Sequence, residues 1–172
     1  MTGTIVKRTA LVAGIALILM GAQVGSDDWK VSLRRIGPVW FGMDIAEARR
    51  VLEDSLQYEP PTGCDYVFPT TAPDGISFMV SDGRIVRVDV DGPGVSTISG
   101  AQVGDSETRL LGLYSGRLEV EPHKYIDGKY LIFVPRDSAD ADYRVVFETD
   151  GNQVIRYRAG LLPEVLWVEG CA

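Results

Sequence analysis

Histidine is almost missing from this chain of 172 residues, which has one, His123, and cysteine is scarce, with Cys64 and Cys171 alone. One imidazole and two thiols cannot assemble a four-ligand zinc site, so no metal ligands are expected. No Gly-x-Ser-x-Gly elbow accompanies His123 in "VEPHKY", so a Ser-His-Asp hydrolase has no nucleophile context. Excess positive charge is missing too: 17 basic residues face 24 acidic ones, a formal net charge of -7. Such a chain repels nucleic acid and anionic lipid, and neither is expected as a partner. There is no phosphate-cradling loop, because the glycines at 92, 94, 100 and 104 do not open a helix with Lys-Ser/Thr. No nucleotide or other cofactor is expected.

What is present begins with Lys7 and Arg8, followed by an uncharged run from Thr9 to Ser26 with the apolar centre "ALVAGIALILMGA". Charge before an apolar run is the order of a secretory signal, and the length also suits a membrane anchor. Residues 1–26 are therefore expected to be a signal peptide or N-terminal anchor. Val24 and Ser26 would permit cleavage before Asp27, and no lipoprotein cysteine follows. Without Lys7 and Arg8, 15 of the 17 basic residues remain against all 24 acidic ones, a formal charge of -9. Location is expected to be periplasmic or extracellular. An oxidising compartment favours a Cys64–Cys171 disulfide, with two unpaired thiols as the alternative.

The remainder reads as α+β. "IGPVWFG" suggests a short edge strand, and Asp44 caps a helix in which Glu47 stands at the return position of a capping box. Ile45, Ala48, Val51, Leu52 and Leu56 share one face of it. "DYVFP", "ISFMV" and "RIVRVDV" follow as strands, the last two joined by an Asp-Gly turn. "DGPG" at 91–94 marks a boundary. The grammar then repeats. "VSTISGAQVG" leads in as a strand, Ser106 caps a helix with Leu110, Leu113 and Tyr114 on one face, and "LEVEP", "KYLIFVP", "YRVVFET" and "QVIRYRA" are strands. "VLWVEGC" ends the chain as a final strand.

Two echoes connect the halves. Placing Gly42 on Gly104 sets Asp44 on Ser106, Ala48 on Leu110 and Val51 on Leu113. Downstream, Ile85, Val86, Arg87 and Val88 fall on Val154, Ile155, Arg156 and Tyr157. Their common order predicts two similar modules, 27–94 and 95–172, each one helix packed on an antiparallel sheet.

Gly42, Met43, Asp44 and Glu47, with Phe78, Asp82 and Gly83 of the hairpin, resemble the SmpA/OmlA (BamE) family and the related beta-lactamase-inhibitory-protein-like domains. The family's lipoprotein cysteine has no counterpart here. The resemblance implies a tandem exported protein whose exposed sheet face binds another protein.

The candidate binding residues follow from strand alternation. Val86, Val88 and Val90 would face the core, leaving Ile85, Arg87 and Asp89 outward, with Val154, Arg156 and Arg158 as their counterparts. Arginine on a rigid sheet suits recognition, whereas solvated cross-strand pairing would need no partner. The expected function is a non-enzymatic envelope protein acting as a protein-binding or scaffolding module, its partner another envelope or secreted protein. Two alternatives are a small-molecule module with an inter-module cleft lined by Tyr125, Tyr130 and Trp167, and a hydrolase using His123. Asp137, Asp140 and Asp142 share one loop, read either as a solvated hairpin tip or as a weak calcium site. Glu119 and Glu121 share one face of their strand, suiting a water-facing edge or a carboxylate pair.

Overall fold

The computed structural model describes residues 29–53 and 63–171. The apolar run 9–26 and Leu56 lie outside them. Among the described residues no helix is long and apolar enough to cross a membrane.

A two-residue hairpin opens the fold, β1 (Arg35–Ile36) with β2 (Val39–Trp40), where the expected single strand "IGPVWFG" turns at Gly37 and Pro38. Gly37 takes a φ of 51°, and Pro38 cannot continue a ladder. Asp44 then caps α1 (Ile45–Val51), accepting from the Ala46 amide at 2.8 Å. Glu47 lies 3.6 Å from Arg50. Ile45, Ala48 and Leu52 are buried, while Val51 faces outward.

β3 (Cys64–Val67), β4 (Ile76–Ser81) and β5 (Arg84–Val90) come next, then α2 (Glu107–Leu113), β6 (Leu118–Pro122), β7 (Lys129–Phe133), β8 (Tyr143–Thr149) and β9 (Val154–Leu161). These seven strands form one antiparallel sheet in the order β3-β4-β5-β9-β8-β7-β6. The fold is thus α+β, a large antiparallel sheet with two helices. Both halves of the chain contribute to one sheet because β5 pairs with β9 across its middle, Asp89 opposite Arg158.

The expected strand "VSTISGAQVG" is a folded connection. Thr97 turns back on itself, its hydroxyl accepting from the Ala101 amide at 3.1 Å, and Gly100 (φ 85°) makes the reversal. Nor is "VLWVEGC" a strand. A cis Leu162–Pro163 peptide and a single 3₁₀ turn, Glu164–Leu166, lead into a second turn in which the Gly170 amide donates to the Trp167 carbonyl.

One sheet face carries the main core, where Phe78, Val88, Val90, Phe133, Phe147 and Tyr157 meet Ile45 and Ala48 of α1 and Leu110 of α2. A bulge in each hairpin sets which side chains reach it. Met79 pairs with Arg87 but Val80 with Ile85, so Val86 is the extra residue. Glu148 pairs with Arg156 but Thr149 with Val154, so Ile155 is extra. A bulge shifts the alternation by one, which puts Ile85 in the main core with Val88 and Val90 and not beside Arg87, as strict alternation predicted.

The same backbone bonds join each helix start to its hairpin. Gly42 donates to the Ile85 carbonyl and Ile85 to that of Met43; Gly104 donates to Val154 and Val154 to Asp105. Ile45 donates to Gly83, and Glu107 to Asn152.

Candidate functional site

On the second sheet face, β-alternation brings Arg87 and Asp89 of β5 beside Arg158 of β9 and Glu148 of β8. Charges at this depth must be paired and hydrogen-bonded to persist. Arg87 holds both Asp89 oxygens, with its Nη2 at 2.6 Å and Nε at 2.9 Å. Its Nη1 donates to the carbonyls of Glu164 (3.0 Å) and Trp167 (2.7 Å). Arg158 donates through Nε to the Val165 carbonyl at 2.6 Å and through Nη1 to Glu148. The chain from 162 onward is therefore a strap lying over this face, its carbonyls taken by two guanidinium groups. Val165 seals it, packing with Tyr130, Ile132 and Val146. The Cys64–Cys171 disulfide, Cα–Cα 5.3 Å, fastens the far end to β3.

This corrects the expectation of an exposed sheet face. Arg87 is 4% and Arg158 3% exposed, and Asp89 is nearly covered. Arg156 alone of the four remains open, paired with Asp91 at 2.9 Å. Burial pushes the Asp89 carboxyl above its ordinary range, with the bonds from Arg87 opposing the shift. Burial likewise lowers the Arg158 guanidinium, against the pull of Glu148. A partner would have to displace the strap to reach these groups.

His123 lies at the margin of the same face. Its ring stacks on Tyr130 with centroids 4.5 Å apart, and Nδ1 accepts from the Tyr125 amide at 3.1 Å. An accepting Nδ1 places the proton on Nε2, which faces the Glu148 carboxylate at 3.4 Å. That carboxylate is shared with Arg158, so His123 helps to fix the strap's seat. The neighbouring surface is apolar and aromatic. Tyr125 is 60% and Trp167 38% exposed, with Ile126 and Leu166 open beside them in sequence. Glu169 accepts from Lys124 at 2.6 Å and from the Tyr125 hydroxyl. The bond from Lys124 holds the Glu169 carboxyl below its ordinary range. Lys124, Trp167 and Glu169 line one shallow cleft of about 540 Å³ beside the disulfide.

The aromatic trio expected to line an inter-module cleft does not line one together, and a second cleft lies elsewhere. Tyr130 is buried against His123, and Tyr125 and Trp167 belong to the strap side. The lead-in Val31–Leu33, the 97–99 connection and the end of α2 instead enclose about 440 Å³ over Tyr114, Phe133 and Val145.

No family model, curated protein or solved structure matches the chain. Function must therefore be argued from these groups themselves. Among the described residues no three metal-capable side chains converge. Asp137 caps the Ser138–Asp140 turn through the Ala139 amide (2.9 Å), while Asp140 pairs with Arg34 at 2.5 Å. Glu119 and Glu121 lie exposed on β6, the outer strand.

The strap was the feature that sequence reasoning missed. Its signal was present in Arg87 and Arg158, each at an alternate position of an apolar strand, where a buried cation needs carbonyls or carboxylates. Which carbonyls answer that need is set by the fold.

Proposed function

We propose that this is an exported, non-enzymatic binding protein of the cell envelope, engaging another protein through the outer side of the strap and the adjoining 123–126 loop. The surface that carries this reading is built on Tyr125 and Trp167, which flank the Lys124–Glu169 pair, with Ile126 and Leu166 exposed next to them in sequence. Exposed apolar groups, rich in aromatics and rimmed by the Lys124–Glu169 pair, have the composition of an interface core. The charged groups beneath are spent on the chain's own carbonyls, which favours a scaffold over a reactive centre. Export rests on the 9–26 run and on a cysteine pair at bonding distance.

Two similar modules are part of the proposal. Equivalent helix-to-hairpin bonds and equivalent bulges at Val86 and Ile155 support a duplicated unit, as does the resemblance to SmpA/OmlA-like modules at the helix start and hairpin. The modules would share one sheet through β5 and β9.

Affinity capture from an envelope extract, with the chain and with its Tyr125→Ser/Trp167→Ser variant as baits, tests the patch. A protein held by the first and lost by the second, at equal thermal stability of the baits, is expected. Identical captures from both would refute the patch as the binding surface.

A further inference from the structure

The cleft over Tyr114, Phe133 and Val145 has three properties that together specify a ligand. First, six of its twelve lining residues are apolar, Val31, Leu33, Ile98, Leu113, Phe133 and Val145, with Ser32, Ser99 and Ser115 between them. Second, its polar floor is already satisfied. The Tyr114 hydroxyl and Thr97 Oγ1 bond each other at 2.8 Å, and Thr97 Oγ1 also accepts from the Ala101 amide. The floor therefore does not call for a polar ligand group. Third, one cation stands at the mouth. The Arg117 guanidinium carbon sits over the Phe133 ring, 4.4 Å from the centroid, and the group makes no ion pair within 4 Å among the described residues. A cation held over a ring by its charge keeps N–H donors for another partner, and Arg117 is exposed.

A cleft with six apolar lining residues and one arginine free of ion pairs among the described residues matches a molecule with an apolar body and one anionic end. We propose that this cleft binds an amphipathic monocarboxylate of the acyl-chain class, its tail between Leu33, Ile98 and Val145 and its carboxylate on Arg117. A cleft of about 440 Å³ lies within the roughly 300–1,000 Å³ of small-molecule sites. The single arginine selects a monoanion, and a carboxylate takes the fork in bidentate fashion. The site is independent of the strap patch, so the failure of one leaves the other standing.

Calorimetric titration of the chain, as recovered from expressing cells, with decanoate and with 1-decanol tests it, both kept below the range in which they aggregate. One decanoate per chain is expected, with 1-decanol about tenfold weaker. Arg117→Ala should weaken decanoate about tenfold, the scale of one charge-assisted bond, and change 1-decanol less than twofold. Ile98→Glu, on a rim side chain 70% exposed and so tolerated by the fold, should abolish both. No saturable decanoate binding, equal affinity for the alcohol, or indifference to Arg117→Ala would each overturn the proposal.

Discussion

Arg87, Arg156 and Arg158 carry the same side chain on two adjacent strands, yet their surroundings differ entirely. Arg87 and Arg158 are sealed beneath the strap, whereas Arg156 is open beside Asp91. Removing one partner of a buried pair leaves the other desolvated and unpaired, a cost of about 3–5 kcal/mol. Arg158→Ala should lose stability on that scale, because Glu148 and the Val165 carbonyl would both be abandoned. Arg156→Ala should stay within about 0.5 kcal/mol, as exposed pairs do. Urea unfolding of both variants gives the comparison, and equal losses would contradict the burial assigned to Arg158. Gly160 shows why position matters here. It sits opposite Arg87, and a Cβ on it would collide with the Val86 carbonyl oxygen that the bulge pushes forward.

At the scale of elements, α2 is tied to the sheet by Glu107. Its carboxylate accepts from Lys129 Nζ and Thr149 Oγ1, each at 2.6 Å. Burial raises the Glu107 pKa, but the bonds from Lys129 and Thr149 outweigh it and hold the group below its ordinary 4.5. A lowered acid pKa stabilises the folded state in full above the unfolded value and loses that contribution as pH falls through the folded one. Glu107→Gln should therefore cost about 1–2 kcal/mol at pH 7 and converge on the parent as pH falls through the lowered folded-state pKa. Urea midpoints measured from pH 3 to 8 would show this, and a gap independent of pH would remove Glu107's charge from the account. Helix starts, turns and central strands were legible in the chain because Asp44, Ser106 and the Asp-Gly turns act through bonds a few residues long. The 95–104 and 165–171 segments were not. Both are rich in β-branched or aromatic residues, but the Thr97 hydroxyl accepts from the Ala101 amide four residues on, and Arg87 and Arg158 take the carbonyls a strand partner would need.

For the whole molecule the disulfide is the long-range constraint. It spans 107 positions and anchors the one segment that closes the second sheet face. A loop of about that length corresponds to roughly 4.7 kcal/mol in the chain-entropy account. Cys171→Ser should lower stability by several kcal/mol and raise hydrogen exchange through 162–171, leaving the β5–β9 centre protected. Unchanged exchange in the strap would mean that Arg87 and Arg158 hold it without the covalent tie.

Short-range bonding and composition are written in consecutive residues, so the sequence alone determined the α+β class, the helix caps, the hairpin turns, the acidic balance and the candidate disulfide. The echo between "FGMDIAEARRVL" and "VGDSETRLLGLY" was legible for the same reason. Which sheet face would be covered, and by what, was decided only in three dimensions. Strand alternation says that Arg87 and Arg158 share a face, but whether water or a distant strap satisfies them depends on contacts between residues about 80 and 7 positions apart. The cleft at Arg117 was equally hidden, since its walls come from 31–33, 97–99, the end of α2, β7 and β8, and Val31 reaches Thr97 only through a bridge between residues far apart in the chain.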